Sequence, residues 1–338
     1  MAGARSAEFP VTTALVVGVG EVGVRAARQL VDTPGIDKVL VADRDRRRAS
    51  RLAESLGARA GVIDVPEAAL PDAVDVVVCA LPRGVDAHFV ALAIDARVPV
   101  ATSDDDVDAI AAVQALDERA RRAGVTVAVG CGLAPGLSDA LARHAGDAFE
   151  AVHEIRVART GWGGPACQAS ARRARREPAI EWHDGQWRDD QPSGEQLVWF
   201  PEPIGARDCS AVAAGVRTLV AAFPAVPRVS FVLGEPPKRS FMRRRFGDDG
   251  EWGATRVEVW GRSARGQDCI VYGVVERTSV AAGTVLAVVA AHLAGALGDQ
   301  VVLPGVHGVA ELVEPVGFLT ELSQRGVRAA VFEGVPVA

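Results

Sequence analysis

Three glycines, Gly18, Gly20 and Gly23, and a carboxylate at Asp43 are the residues whose types and spacing point most directly to chemistry. The glycines lie in Leu15-Val16-Val17-Gly18-Val19-Gly20-Glu21-Val22-Gly23-Val24-Arg25, an apolar run that ends in a turn and continues with helical spacing. In a Gly-x-Gly-x-x-Gly turn the first glycine allows the tight bend and the second lets the backbone approach a pyrophosphate. The third lets the new helix pack closely on its strand. Free N–H groups at Glu21 and Val22 and the positive end of the helix then offer an anion site. A second apolar run, Lys38-Val39-Leu40-Val41-Ala42-Asp43, closes on a carboxylate about 20 residues after the glycines, where a dinucleotide fold places the acceptor for the ribose hydroxyls. A helix cap or a solvated turn would use the same Asp. Arg44, with Arg46, Arg47 and Arg48 behind it, could receive a 2′-phosphate, but Asp43 repels one. The expected cofactor is therefore NAD, with NADP as the alternative that the arginines keep open.

Candidates for the rest of a reaction are more scattered. Asp75-Val76-Val77-Val78-Cys79-Ala80-Leu81-Pro82 reads as a buried strand, and its end, Ala80, Leu81 and Pro82, is expected against the nicotinamide half of the cofactor. Asp139, Cys131 and His88 are the acid or base candidates. Asp139 is the best placed, with helix capping as its competing role; Cys131 also reads as a buried thiol, and His88 and His144 also read as structural. Arg159, beside the loop Gly161-Trp162-Gly163-Gly164-Pro165, is a candidate for a substrate carboxylate, with Trp162 as an aromatic wall. Two basic clusters, Arg172, Arg173, Arg175, Arg176 and Lys238, Arg239, Arg243, Arg244, Arg245, could do the same or form solvated faces. Asp104, Asp105 and Asp106 invite a metal, but adjacent carboxylates at a helix start more often cap it, and no metal is expected.

These residues need a scaffold. Helix patterns at 46 to 57, 86 to 96 and 107 to 123 alternate with short apolar runs at 58 to 64, 98 to 102 and 125 to 129. Such alternation predicts an α/β, Rossmann-type, doubly wound parallel sheet. Beyond residue 150 the pattern changes to strand-like pieces at 152 to 158, 180 to 187 and 196 to 200. A hairpin follows, from Thr255–Trp260 to Asp268–Val275 through residues 263 to 267. This predicts a second α+β domain on a mainly antiparallel sheet. Residues 280 to 297 form a helix apolar nearly all round, and therefore buried, with Thr278 or Ser279 placed to cap it.

The stretch Gly130-Cys131-Gly132-Leu133-Ala134-Pro135-Gly136-Leu137-Ser138-Asp139-Ala140-Leu141-Ala142 resembles the saccharopine dehydrogenase-like family, whose nucleotide domain ends in a strand, a Gly-x-x-Pro-Gly turn and a helix. Within that family the lysine 6-dehydrogenases are the nearest in look. The resemblance implies a nucleotide domain of residues 1–145 plus 281–338, with residues 304 to 332 completing it. It implies a substrate and dimerisation domain of residues 146–280, and a homodimer made through the second sheet. It further implies an NAD(P)-dependent oxidoreductase acting on a C–N bond of an amino acid, amine to imine or the reverse. The family's C-terminal loop is only partly matched by Val302-Leu303-Pro304-Gly305-Val306-His307-Gly308. An alternative of another kind is an NAD-binding protein of the same fold with a regulatory or structural role. A hydroxy-acid or keto-acid dehydrogenase is disfavoured, because no matching His/Asp/Arg set stands at a strand or helix end, and no nucleophile elbow supports hydrolysis.

Composition sets the outer limits. A chain of 338 residues, 49% hydrophobic and 24% charged, can bury a large core and divide in two. A net charge of -6 argues against nucleic acid as a partner, and no uninterrupted apolar run is long enough for a membrane helix. With no signal-peptide core near the N-terminus, a cytoplasmic protein with a small-molecule partner is expected. Five widely spaced cysteines suggest neither a disulfide framework nor a zinc knuckle.

Overall fold

The computed structural model describes residues 11–161, 163–189, 194–235 and 252–331. Strand β1 (Thr13–Val17) is buried along its whole length and pairs in parallel with β2 (Lys38–Ala42) on one side and β4 (Val76–Cys79) on the other. Continuous apolar runs suit such strands because helices cover both faces of the sheet. With β3 (Ala60–Val62), β5 (Val100–Thr102), β6 (Thr126–Val129) and β15 (Gly305–Gly308) the sheet has the order β15-β6-β5-β4-β1-β2-β3. The chain goes one way from β1 to β2 and the other way from β1 to β4, so the switch of direction lies directly beyond the glycine turn. In open α/β sheets ligands bind at that crevice.

Helix α1 (Glu21–Asp32) follows the turn, and α9 (Thr278–Leu293) packs across it. The crossing is close because α9 places Gly283 there: a Cβ on it would stand 2.5 Å from Arg25 Cβ and 2.8 Å from the Val22 carbonyl. As its uniform apolarity predicts, α9 is buried nearly throughout. Its start differs from the expectation. Arg277 is the N-cap and makes no side-chain cap, while Thr278 and Ser279 are buried inside the first turn. The helix expected over 107 to 123 is also divided. Residues Val107–Gln114 (α4) and Asp117–Ala123 (α5) are separated at Ala115 and Leu116, where Leu116 N–H turns back to Val113 O at 2.9 Å. One tight turn breaks the helical register there.

The second sheet runs β10 (Glu195–Phe200), β11 (Gly205–Ala211), β12 (Arg228–Gly234), β7 (Ala151–Thr160), β13 (Trp252–Ser263), β14 (Gly266–Arg277), β16 (Ala329–Val331). Its pairings are antiparallel except for β12 with β7. A two-stranded flap, β8 (Glu181–His183) and β9 (Gln186–Arg188), joins it through β12. The hairpin is longer and its turn tighter than read from sequence: Ser263 already faces Gly266, leaving Ala264 and Arg265 as the loop. The last strand also departs from the reading that took residues 304 to 332 as one return to the nucleotide domain. β15 does join the first sheet, beside β6, but β16 pairs with β14 in the second. Alternation in so short a strand carries no information about which sheet edge it will find.

Candidate functional site: a glycine turn facing a charged clasp

Each glycine of the turn answers to a different constraint. Gly18 has φ +91°, and a Cβ on it would lie 2.4 Å from the Ala80 carbonyl oxygen. Gly23 has no such angle, but a Cβ there would lie 1.9 Å from the Gly18 carbonyl oxygen, so α1 rests backbone to backbone on the turn. At Gly20 nothing stands within 4 Å. This position heads α1 without a side-chain cap, so no capping side chain takes the N–H groups of its first turn. Packing therefore requires glycine at 18 and 23, whereas at 20 there is room for a side chain.

Asp43 is tied to this turn. Its Oδ2 accepts the Val19 N–H at 2.8 Å and its Oδ1 accepts the Asp45 N–H at 2.8 Å. Half-buried, it keeps one lone pair on each oxygen for further donors. Asp43 thus holds the glycine turn while remaining able to accept ribose hydroxyls. Arg44, Arg47 and Arg48 are exposed, and Arg46 pairs with Asp64. Ala80 extends β4 by bonding Val17 O at 2.9 Å; Ala80 and Leu81 are half-buried against Gly18, and Pro82 is exposed.

Across the cleft stands helix α7 (Pro165–Ala174), which the sequence reading treated only as a basic cluster. Its N-cap, Gly164, meets Glu21 at the start of α1: a Cβ on Gly164 would fall 3.0 Å from Glu21 Cγ and Cδ. Trp162 and the cluster from Lys238 to Arg245 lie outside the described residues. Arg159 ends β7, on the face that Ile155 and Val157 bury, and that alternation drives its charge into the boundary between the sheets. There Arg159 Nη1 donates to Asp105 Oδ2 at 2.8 Å and to Ala134 O at 2.8 Å. Ser170 Oγ on α7 donates to the other oxygen, Asp105 Oδ1, at 2.8 Å. Arg83, just beyond Pro82, pairs with Asp106 and Asp108 and reaches Glu177 at 3.7 Å.

The three neighbouring aspartates thus part company. Asp106 caps α4 through the Asp108 and Ala109 N–H groups, as capping chemistry predicts. Asp105 joins the clasp. Asp104 accepts the Asp106 and Gly84 N–H groups, and burial pushes its carboxyl up to about 6. No cluster of potential metal ligands occurs among the described residues.

The acid and base candidates are not brought together. Asp139 lies in the first turn of α6 (Leu137–Gly146) with no exposed surface. Ser138 Oγ donates to its Oδ1 at 2.9 Å, and the neighbouring Thr218 hydroxyl bonds Gly215 O at 3.0 Å. Burial pushes this carboxyl up to about 6. Cys131 is equally sealed, and burial pushes its thiol well up, so it stays protonated. His88 stands apart, exposed on α3 (Asp86–Ala96) with its ring edge-on to Phe89. His144 bonds the Tyr272 hydroxyl at 2.7 Å, a contact between α6 and β14. The Pro135-Gly136 turn itself is entirely buried. Gly136 has φ +118°, and a Cβ there would lie 2.4 Å from Gly132 O. A cavity of about 280 Å³ lies away from the cleft, over β7, β10, β12 and β13, where Arg156, Arg256 and Glu258 line it.

Sequence reasoning missed Ser170 and the pairing of Asp105 with Arg159. The signal was weak: Asp105 was hidden in an acidic run, and both contacts join residues more than 50 apart in the chain.

An open parallel sheet with a glycine turn at its switch point, joined to a mixed second sheet, defines a two-domain protein with a Rossmann-type nucleotide fold. The architecture is that of saccharopine dehydrogenase. The L-Glu-forming saccharopine dehydrogenase of Saccharomyces cerevisiae superposes with a TM-score of 0.67 at 15% identity, over 95% of this chain and 100% of that one. The DAP dehydrogenase of C. glutamicum, solved with DAP, gives 0.53 at 16% identity, over 94% and 99%. An engineered D-amino acid dehydrogenase bound to NADP+ gives 0.53 at 15% identity, over 93% and 99%. Residues 2–83 match the family model for shikimate / quinate 5-dehydrogenase, a span that holds the glycine turn and Asp43. A glutamyl-tRNA reductase of Natronomonas pharaonis is 51% identical over 70 residues, 20% of this chain and 15% of that protein's length. No helix among the described residues is long and apolar enough to cross a membrane.

Proposed function

We propose that this protein is an NAD(P)-dependent oxidoreductase acting on a C–N bond of an amino acid, amine to imine or the reverse, with NAD as the preferred cofactor. The observation that carries the reading is the contrast at the turn: Gly18 and Gly23 are closed off by backbone and Gly20 is open. Packing explains two of the glycines, and the third fits a ligand's approach. The likeness in fold to three amino-acid dehydrogenases supports the substrate class.

In this reading Glu21 and Val22 offer their N–H groups to the pyrophosphate, Asp43 accepts the ribose hydroxyls, and Ala80, Leu81 and Pro82 line the nicotinamide half. Bound nicotinamide supplies a hydride donor or acceptor. Asp43 sets the preference for NAD by opposing a 2′-phosphate, with exposed Arg44 beside it. Arg159 takes the substrate on the far wall, and Trp162, which lies outside the described residues, is the aromatic residue of the same proposal. Asp139, whose neutral form burial favours up to about pH 6, holds a proton next to Cys131. His88 is the third acid or base in the proposal. The protein acts in the cytoplasm on a small molecule, as a homodimer that covers the exposed Leu197, Trp199 and Trp260 of the second sheet.

A second reading, a nucleotide-binding protein with a regulatory or structural role, is favoured by one fact: Asp139 and Cys131 are sealed while His88 stands apart. A screen of lysine, saccharopine and related diamines with NAD and NADP, followed by reduced-nicotinamide absorbance, separates the two. Turnover with an amine supports the first reading. Tight nucleotide binding with no turnover across the panel supports the second.

A further inference from the structure

Asp105 spans the two domains with both carboxylate oxygens. Oδ2 takes Arg159 Nη1 from β7 and Oδ1 takes the Ser170 hydroxyl from α7, each at 2.8 Å. The same Nη1 bonds Ala134 O beyond β6. These contacts fix the plane of the Arg159 guanidinium at the carboxyl ends of β5 and β6, the edge where open α/β sheets bind ligands. Arg159 Nε, however, is buried and meets no acceptor among the described residues. A guanidinium has five N–H donors in a rigid fork. An arginine serving only as a clasp would be expected to spend its buried N–H groups on protein acceptors, since leaving one unmade is costly. The clasp also holds α7, whose N-cap meets Glu21 at the glycine turn.

We propose that Asp105 is a positioning residue that, with Ser170, orients Arg159 to receive a carboxylate of the substrate. The inference rests on the dehydrogenase reading above. Asp105 cannot attract that carboxylate; its own charge opposes one. Its contribution is orientation, and this gives the test a sign. If Asp105 acted only through charge, removing it would tighten anion binding, whereas loss of orientation weakens it.

The probe is glutarate, a plain dicarboxylate, titrated into the NADH-saturated protein and followed by nucleotide fluorescence. Wild type is expected to bind it, Arg159→Ala to lose it, and Asp105→Ala to weaken it about tenfold while NADH affinity stays within about twofold. Ser170→Ala, which leaves the ion pair, should weaken it by about threefold or less. Retained NADH binding shows that a variant is folded. Glutarate binding by Asp105→Ala as tight as wild type, or tighter, overturns the proposal, as does NADH binding with no glutarate binding in wild type. A parallel loss of NADH and glutarate in Asp105→Ala marks a merely structural clasp and also overturns it. Absence of NADH binding in wild type fells the nucleotide reading itself.

Discussion

On the nucleotide side of the cleft, Gly18, Gly20, Gly23 and Asp43 belong to one strand-turn-helix-strand unit, and what the glycines contribute is the absence of side chains. At the clasp between the two sheets, Asp105, Ala134, Arg159 and Ser170 come from four separate segments and are held by charge and hydrogen bonds. The first side is a backbone surface set by local geometry. The clasp is set by polar contacts between distant segments, and buried carboxyls outside those contacts, Asp104 and Asp139, respond to pH where the glycine turn responds to volume.

The comparison breaks most sharply at Gly23. Gly23→Ala puts a Cβ against the Gly18 carbonyl, and neither backbone can give way without moving α1 off its strand. Urea unfolding should show a loss of about 3 kcal/mol or more. An unchanged midpoint would mean that α1 does not need this close approach.

Among the buried carboxyls the matching test is Asp139→Asn. The folded pKa of about 6 lies above the ordinary 3.8, so the neutral form favours the folded state. That contribution is whole below about pH 4 and is lost as pH rises through 6. Asparagine does not ionise. The variant should therefore gain on wild type by up to about 3 kcal/mol between pH 4 and 7, read from urea unfolding at both pH values. A difference that does not move with pH would contradict the burial argument.

Asp43→Ala is expected to weaken NAD about tenfold and to narrow the gap to NADP, as measured by tryptophan fluorescence titration with both nucleotides. An unchanged preference would assign specificity to the arginines instead. The smallest effect belongs to His307 on β15, whose Nδ1 lies 3.2 Å from Glu311 Oε1. That bond raises the imidazole above its ordinary 6.5. Its contribution is full below pH 6.5 and fades as pH rises through the folded value, so Glu311→Gln should cost stability at pH 6 and little at pH 9. A loss of about 1 kcal/mol or less is expected.

The same contrast explains what was legible in the sequence. The glycine turn at Gly18, Gly20 and Gly23 and the strand that leads to Asp43 could be read because they lie within one βαβ unit at fixed spacing. The first sheet was legible for the same reason, since each strand and helix announces itself by its own period. Asp105 and Arg159 could be seen singly but not as a pair, because their contact is made by the packing of two domains. Asp139 looked well placed along the chain, and only the fold shows that it has no exposed surface. Strands β11 and β12 escaped, and the extended segment at Ala329–Val331 was read but assigned to the wrong sheet, because its residues do not say which edge they will join.

The central claim is that the open side of Gly20 is a pyrophosphate site, and NAD titration of wild type beside Gly20→Val tests it directly. Nothing within 4 Å opposes a side chain there, so the variant should unfold at the wild-type urea midpoint while losing NAD binding. Retained NAD affinity in Gly20→Val, or no NAD binding by wild type, would contradict the account.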